Sequence, residues 1–155
     1  MRPNISTIEL LLANDVLASS IVPQSIGLTN QSTNQFEYPL AAGDNIMWEL
    51  CANFTLGATG GFRFLANAPA APTAYNAQFF IVDLTTPATF NFGQSVEAAV
   101  ANASAVAGLY NLRAFGCVRN GANAGNFAFQ FAQNTSDVLP ITILAGAWLK
   151  VWQAA

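Results

Sequence analysis

The chain has 155 residues, 53% hydrophobic and 8% charged, with a formal net charge of −3 and no histidine. That length buries a core in one domain without staples, and no run reaches the ~18 consecutive apolar residues of a membrane helix. The basic residues Arg2, Arg63, Arg113, Arg119 and Lys150 make no patch able to neutralise phosphates, which excludes nucleic acid as a partner. Typical soluble chains are about 25% charged. A chain this neutral is expected to hide surface in an oligomer interface.

Residues 1–7 are polar and read as a short N-terminal arm. The apolar cluster at 10–13 is too short and poorly flanked for a signal peptide, so folding in a cytoplasm is expected. Turn residues then recur every 8–15 positions, the spacing of an all-β chain. Strands are expected at 8–13, irregularly at 20–28, and at 36–40, where Pro39 marks an edge. Over 45–56, Ile46, Trp48, Leu50, Ala52 and Phe54 share one face. The glycine-rich loop 57–61 and the strand 62–66 complete an expected antiparallel hairpin with it.

Further strands are expected at 75–84 and 89–92. Residues 96–107 are alanine-rich and read as an irregular connection with at most a helical turn. In 108–119, Tyr110, Leu112, Ala114 and Val118 take one face, and Asn111, Arg113, Phe115, Cys117 and Arg119 the other. After the turn 120–125, Phe127, Phe129 and Phe131 alternate with Asn126, Ala128 and Gln130. The phenylalanines need a core, and the neutral opposite face is expected to lie near another subunit. The last strand, 141–152, carries Gly146 as a bulge or close-packing point. The whole chain, 1–155, is thus read as a single domain. Its fold class is all-β, an antiparallel β-sandwich of jelly-roll type with eight to ten strands.

Candidate chemistry is sparse. Without histidine the usual triads and the commonest general base are missing, and there is no phosphate loop or paired-cysteine motif. No enzyme activity, catalytic residue, cofactor or metal is expected. Glu37 and Asp44 flank one turn, where they are either solvated acids or ligands for a hard cation. Glu49 is placed to pair with Arg63, Arg113 or Arg119, across strands or across a subunit boundary. Cys51 and Cys117 read as buried free thiols, with a disulfide left open. Trp148 and Trp152 share a face with Lys150 between them. That face reads as a protein interface, as core, or as a platform for sugars.

The pieces Leu12–Ala13–Asn14–Asp15, Asp44–Asn45–Ile46–Met47–Trp48–Glu49–Leu50 and Thr59–Gly60–Gly61–Phe62–Arg63–Phe64 resemble a module of tailed-phage virion proteins. So do Gly108–Leu109–Tyr110, Gly121–Ala122–Asn123–Ala124–Gly125, Phe129–Gln130–Phe131–Ala132–Gln133–Asn134–Thr135–Ser136–Asp137 and Leu144–Ala145–Gly146–Ala147–Trp148–Leu149. The resemblance implies a homotrimer of the tumour-necrosis-factor/C1q jelly-roll kind, located on the capsid exterior of a virion. It implies a capsid decoration (cement) protein that binds the major capsid protein and stabilises the shell, with no membrane partner. The alternative is a receptor-binding head or tail fibre tip that recognises a host glycan or protein. The short arm favours decoration. Tyr110, Phe115, Trp148 and Trp152 are the expected subunit contacts, and loops 30–35 and 67–74 the expected recognition loops of a tip.

Overall fold

The computed structural model describes residues 6–27, 36–57, 61–86, 88–103 and 105–153. The arm at 1–7 therefore lies almost wholly outside the described residues, and the loop 30–35 entirely so. Thirteen strands run along the described chain: β1 (Ser6–Leu10), β2 (Asp15–Leu17), β3 (Gln24–Ser25), β4 (Glu37–Leu40), β5 (Asn45–Leu56), β6 (Phe62–Asn67) and β7 (Ala74–Asp83), followed by β8 (Ala88–Gln94), β9 (Val100–Asn102), β10 (Gly108–Arg119), β11 (Gly125–Gln133), β12 (Ile141–Ile143) and β13 (Trp148–Gln153). The larger sheet has the order β1-β13-β5-β10-β7-β8, with β12 also on β5 and β2 on β12. The smaller has the order β3-β11-β6-β9, with β4 also on β11. All pairings are antiparallel.

The pairing is nested. β1 lies on β13, β3 on β11, β5 on β10, and β6 on β9. That succession, split over two sheets, is the connectivity of a jelly roll. β7 and β8 fall between β6 and β9 and extend the larger sheet past β10.

Strict alternation makes β5 and β10 the spine. They pair over their full length, from Gly108 opposite Leu56 to Arg119 opposite Asn45. The inward residues of β5 and those of β11 meet between the sheets, where Phe127, Phe129 and Phe131 are fully buried. Trp48 contacts Phe127 and Phe129 with centroids 5.5 and 5.8 Å apart, and Phe54 lies 5.1 Å from Phe64. Such ring pairs add roughly 0.5–1.5 kcal/mol each beyond area burial.

Four expectations are corrected. The eight to ten strands expected are thirteen among the described residues, because β2, β3, β9 and β12 are only two or three residues long and are strand through their pairing rather than through a period of their own. The strands at 45–56 and 62–66 are not a hairpin: β5 lies in the larger sheet and β6 in the smaller, so the connection crosses the sandwich. Part of 96–107 is strand, because β9 pairs with β6 through Val100 opposite Phe64. The last strand is two strands, β12 and β13, both on β5. Between them Leu144–Ala147 forms a turn in which the Ala147 N–H donates to the Leu144 carbonyl at 3.3 Å and the Gly146 N–H to the Leu11 carbonyl at 2.8 Å.

Two glycines differ in what they require. Gly146 has φ +89° with open space where a Cβ would stand. Gly116 is crowded: a Cβ there would collide with the Asn76 carbonyl and reach 2.9 Å from Trp48 Cζ2. Gly146→Ala is therefore expected to cost about 1 kcal/mol, the left-handed penalty alone, and Gly146→Asn less. Gly116→Ala is expected to cost about 3 kcal/mol, because β7 or the Trp48 ring must move. Urea midpoints of the three variants check the order, and equal losses at both positions would contradict it.

Candidate interaction surface

Alternation leaves every second residue of β13, β5, β10 and β7 on the outer face of the larger sheet. Register sets them in rows. One row runs Leu10, Trp148, Cys51, Arg113, Phe80 and Asn91, and the next Ile8, Lys150, Glu49, Phe115, Gln78 and Gly93. Much of this face is apolar and wet: Ile8 is 62% exposed, Met47 53%, Phe115 41% and Phe80 39%. The Phe80 and Phe115 rings stack at 5.8 Å and 15°. A shallow groove of about 440 Å³ lies beside them, lined by Met47, Glu49, Asn76, Phe115, Cys117 and Trp152 among others.

The charges on this face are engaged with neighbours. Arg113 donates from Nη2 and Nε to Glu49 Oε1 at 2.6 and 3.1 Å. That bond, with the carboxylate's charge, holds the guanidinium pKa above its ordinary value. Lys150 Nζ sits 4.9 Å from the Trp152 ring centroid. At the strand end Arg119 Nε donates to Asn45 Oδ1 at 3.3 Å. Glu49 thus finds one of its expected partners, within the chain. Arg63 instead donates to the Ile21 carbonyl at 3.4 Å.

Of the four expected subunit contacts, Phe115, Trp148 and Trp152 do lie on this outer face. Tyr110 does not. It is fully buried, stacked on Phe54 at 5.0 Å, and its Oη donates to the Val106 carbonyl at 2.8 Å. Its parity with Leu112 and Ala114 assigns it to the core, and burial raises its phenol pKa. Met47 and Phe80 were not singled out from sequence, although Phe80 shares the strand parity of the polar Gln78.

The cysteines are free, with Cys117 exposed and Cys51 half-buried. Both are on the outer face, so burial as small hydrophobes is corrected. Cys51 faces Arg113, and Cys117 stands four residues further along β10. That is about 13 Å at ~3.3 Å per residue, beyond disulfide reach.

The outer face of the smaller sheet is quite different. Asn126 Nδ2 donates to Glu37 Oε2 at 2.9 Å, Ser25 Oγ donates to Glu37 Oε1 at 2.7 Å, and Ala128 is buried. Asn126 thus has a hydrogen-bond partner within the chain while remaining exposed. Glu37 is thereby occupied, and Asp44 Oδ2 accepts the Ala41 N–H at 2.9 Å. Among the described residues no three His, Cys, Asp or Glu side chains are grouped to hold a metal ion.

One end of the sandwich is braced by neutral amides. Asn120 Nδ2 donates to the Ala41 carbonyl at 2.7 Å, and Asn123 Nδ2 to the Ala70 carbonyl at 2.9 Å. The Gly43 N–H donates to the Gly121 carbonyl at 2.9 Å. The loops around 41–44, 67–73 and 120–125 are thus tied together. Glu97 approaches this end: burial raises its pKa, against a hydrogen bond from the Ala68 backbone. Burial, then the Glu97 charge, also raises the Tyr75 phenol, whose Oη donates to the Ala66 carbonyl at 2.8 Å.

No protein-family model matches the chain, and no curated protein matches it. Among solved structures, the tumour necrosis factor Eiger of S. frugiperda superposes with a TM-score of 0.43 and 8% identity, over 99% of this chain and 94% of that one. At that level of likeness the fold is read from the strand order itself.

Glu97 yields a pH prediction. Its folded pKa is raised, so the folded state holds the proton more tightly than the unfolded chain does. Stability is therefore highest below the ordinary carboxylate range and falls as pH rises through and above it. Glu97→Gln is expected to remove that part of the slope while keeping an acceptor for Ala68. Urea midpoints from pH 4 to 7 for both proteins test this, and parallel profiles would refute it.

Proposed function

We propose that this chain is a self-assembling binding module of a tailed-phage virion, a homotrimer closed around the outer face of the larger sheet. One observation carries the assembly: a broad apolar face whose charges are already paired or stacked within the chain. Covering it removes apolar area from water at about 25 cal/mol per Å² without stranding an unpaired charge. Phe115, Trp148 and Trp152 are the contacts. The sequence resemblance supplies the virion setting.

The braced loop end favours a receptor-binding tip over the decoration role. Loops already held by Asn120 and Asn123 lose little conformational freedom on binding a surface glycan or protein. Of the two loops expected to recognise a host, 67–74 contributes to this end. Decoration of the shell is the second reading, favoured by a surface that makes neutral contacts insensitive to salt. In that role, binding the assembled shell and not its dissociated subunits stabilises it by mass action.

Wild-type protein is expected to sediment at three chain masses, one chain being 16.4 kDa. Phe115→Asp is expected to weaken association by about 2 kcal/mol or more, roughly 30-fold, with the far-UV circular dichroism of the folded chain unchanged. A wild-type monomer at micromolar concentration would overturn the assembly. For the role, labelled protein is offered both to host cells and to shells lacking decoration. Cell binding lost in Asn123→Ala supports the tip, saturation of shells at defined sites supports decoration, and binding to neither refutes both.

A further inference from the structure

The edges of the two sheets are not equally guarded. β3 and β9 are two and three residues long, and β4 carries Pro39. β1 carries Glu9 within the strand, and β2 begins with a buried Asp15. Short length, proline and charge are the usual devices that stop strand edges from pairing. β8 has none of them. It is seven residues of Ala-Thr-Phe-Asn-Phe-Gly-Gln, without a charge or a proline, and it pairs only with β7 among the described strands. In an antiparallel strand alternate residues turn both N–H and C=O to the same side. About half of the β8 backbone groups therefore face away from β7.

Its side chains fit a second copy of itself. Thr89, Asn91 and Gly93 are exposed on the outer face. Phe90 and Phe92 turn toward the core, where Phe90 lies 6.2 Å from Phe62, but both stay half-exposed. Antiparallel pairing centred on Asn91 sets Asn91 opposite Asn91, Thr89 opposite Gly93, and Phe90 opposite Phe92. Neutral amides meet across the centre, aromatic pairs cover each other's exposed rims, and no like charges meet. A partner of either net charge gains nothing from a strand that has none, whereas an identical strand matches every position.

We propose that β8 is a second self-association site, at which two copies join their larger sheets edge to edge through antiparallel β8 pairing. Asn91 and Gly93 share the outer face proposed to close the trimer, but this contact runs along the free edge of β8, two strands along the sheet from β10 and Phe115. A single strand pair buries less than the roughly 1,200 Å² of a stable interface, so this contact is concentration-dependent and serves to link assemblies.

The test uses full-length protein in sedimentation equilibrium over a concentration series, with Asn91→Lys, Asn91→Glu and their mixture. Asn91 is outward and exposed, so circular dichroism and the urea midpoint are expected to stay unchanged. Wild type is expected to gain mass as concentration rises. Each variant is expected to lose that gain, because like charges then meet at the centre, and the mixture is expected to regain it. A trimer carries three β8 edges, so growth from three chains to six and beyond supports both contacts, and growth from one chain to two supports the edge while overturning the trimer. A mass that stays at one or three chains, a variant that still grows as wild type does, or a mixture that does not recover would overturn the edge.

Discussion

The aromatic layer between the sheets decides which side of every long strand is inside. Trp48 and Phe54 from β5 reach across to Phe127, Phe129, Phe62 and Phe64, while Tyr110 and Phe79 fill in from β10 and β7. A slip of one residue in β5 would bring Met47 and Glu49 inside and turn Trp48 out. The layer therefore locks register across the sandwich, and with it the composition of the outer faces. It has a cost, since Trp48 Nε1 is buried without a hydrogen-bond partner among the described residues, about 1–3 kcal/mol. Three ring contacts to Trp48 offset that cost and hold the indole over Gly116, where no other residue leaves room.

What was legible in the sequence follows from this. β5 and β10 match their expected bounds because alternation sustained over twelve residues, interrupted in β10 only at its glycines, specifies both extent and face. Alternation names the inner face but not the sheet. Hence β6 was placed beside β5, when the chain in fact crosses to pair with β11 and β9. β9 was invisible because its three residues are strand only through β6, and alanine-rich sequence carries no period of its own. Tyr110 shares the parity of Leu112 and Ala114 and is buried with them, so an interface role for it conflicts with the strand pattern itself. At Gly146 the break was seen but not its size, which depends on hydrogen bonds to Leu11 some 135 residues away.

The low charge has two physical sources. One is internal. Gln133 is buried, accepts the Ser20 and Asp137 N–H groups and donates to the Leu139 carbonyl at 2.7 Å, organising the turn that follows β11. Asn120 and Asn123 donate to backbone carbonyls at the loop end, with Asn120 Oδ1 buried and without a partner among the described residues, and Asn111 bonds Asn53 between β10 and β5. Neutral amides do this because each both donates and accepts, and burying them avoids the desolvation penalty of a charge. Part of the chain's neutrality is thus internal bracing rather than concealed surface.

The other source is the larger sheet, and there the two sheets part company. The smaller sheet closes its outer face with the Ser25, Glu37 and Asn126 hydrogen bonds and a buried Ala128. The larger leaves Ile8, Met47, Phe80 and Phe115 to water, and ends in a strand with no charge to guard it. Both departures from the habits of a solitary soluble domain fall on the same sheet, one on its face and one on its edge. A sequence selected to stay alone needs only a lysine or two to remove either. β7 and β8, which fall within the nested pairing between β6 and β9, widen the larger sheet and carry its edge outward. They add Phe80 to an apolar face that β1, β5 and β10 already present through Ile8, Met47 and Phe115.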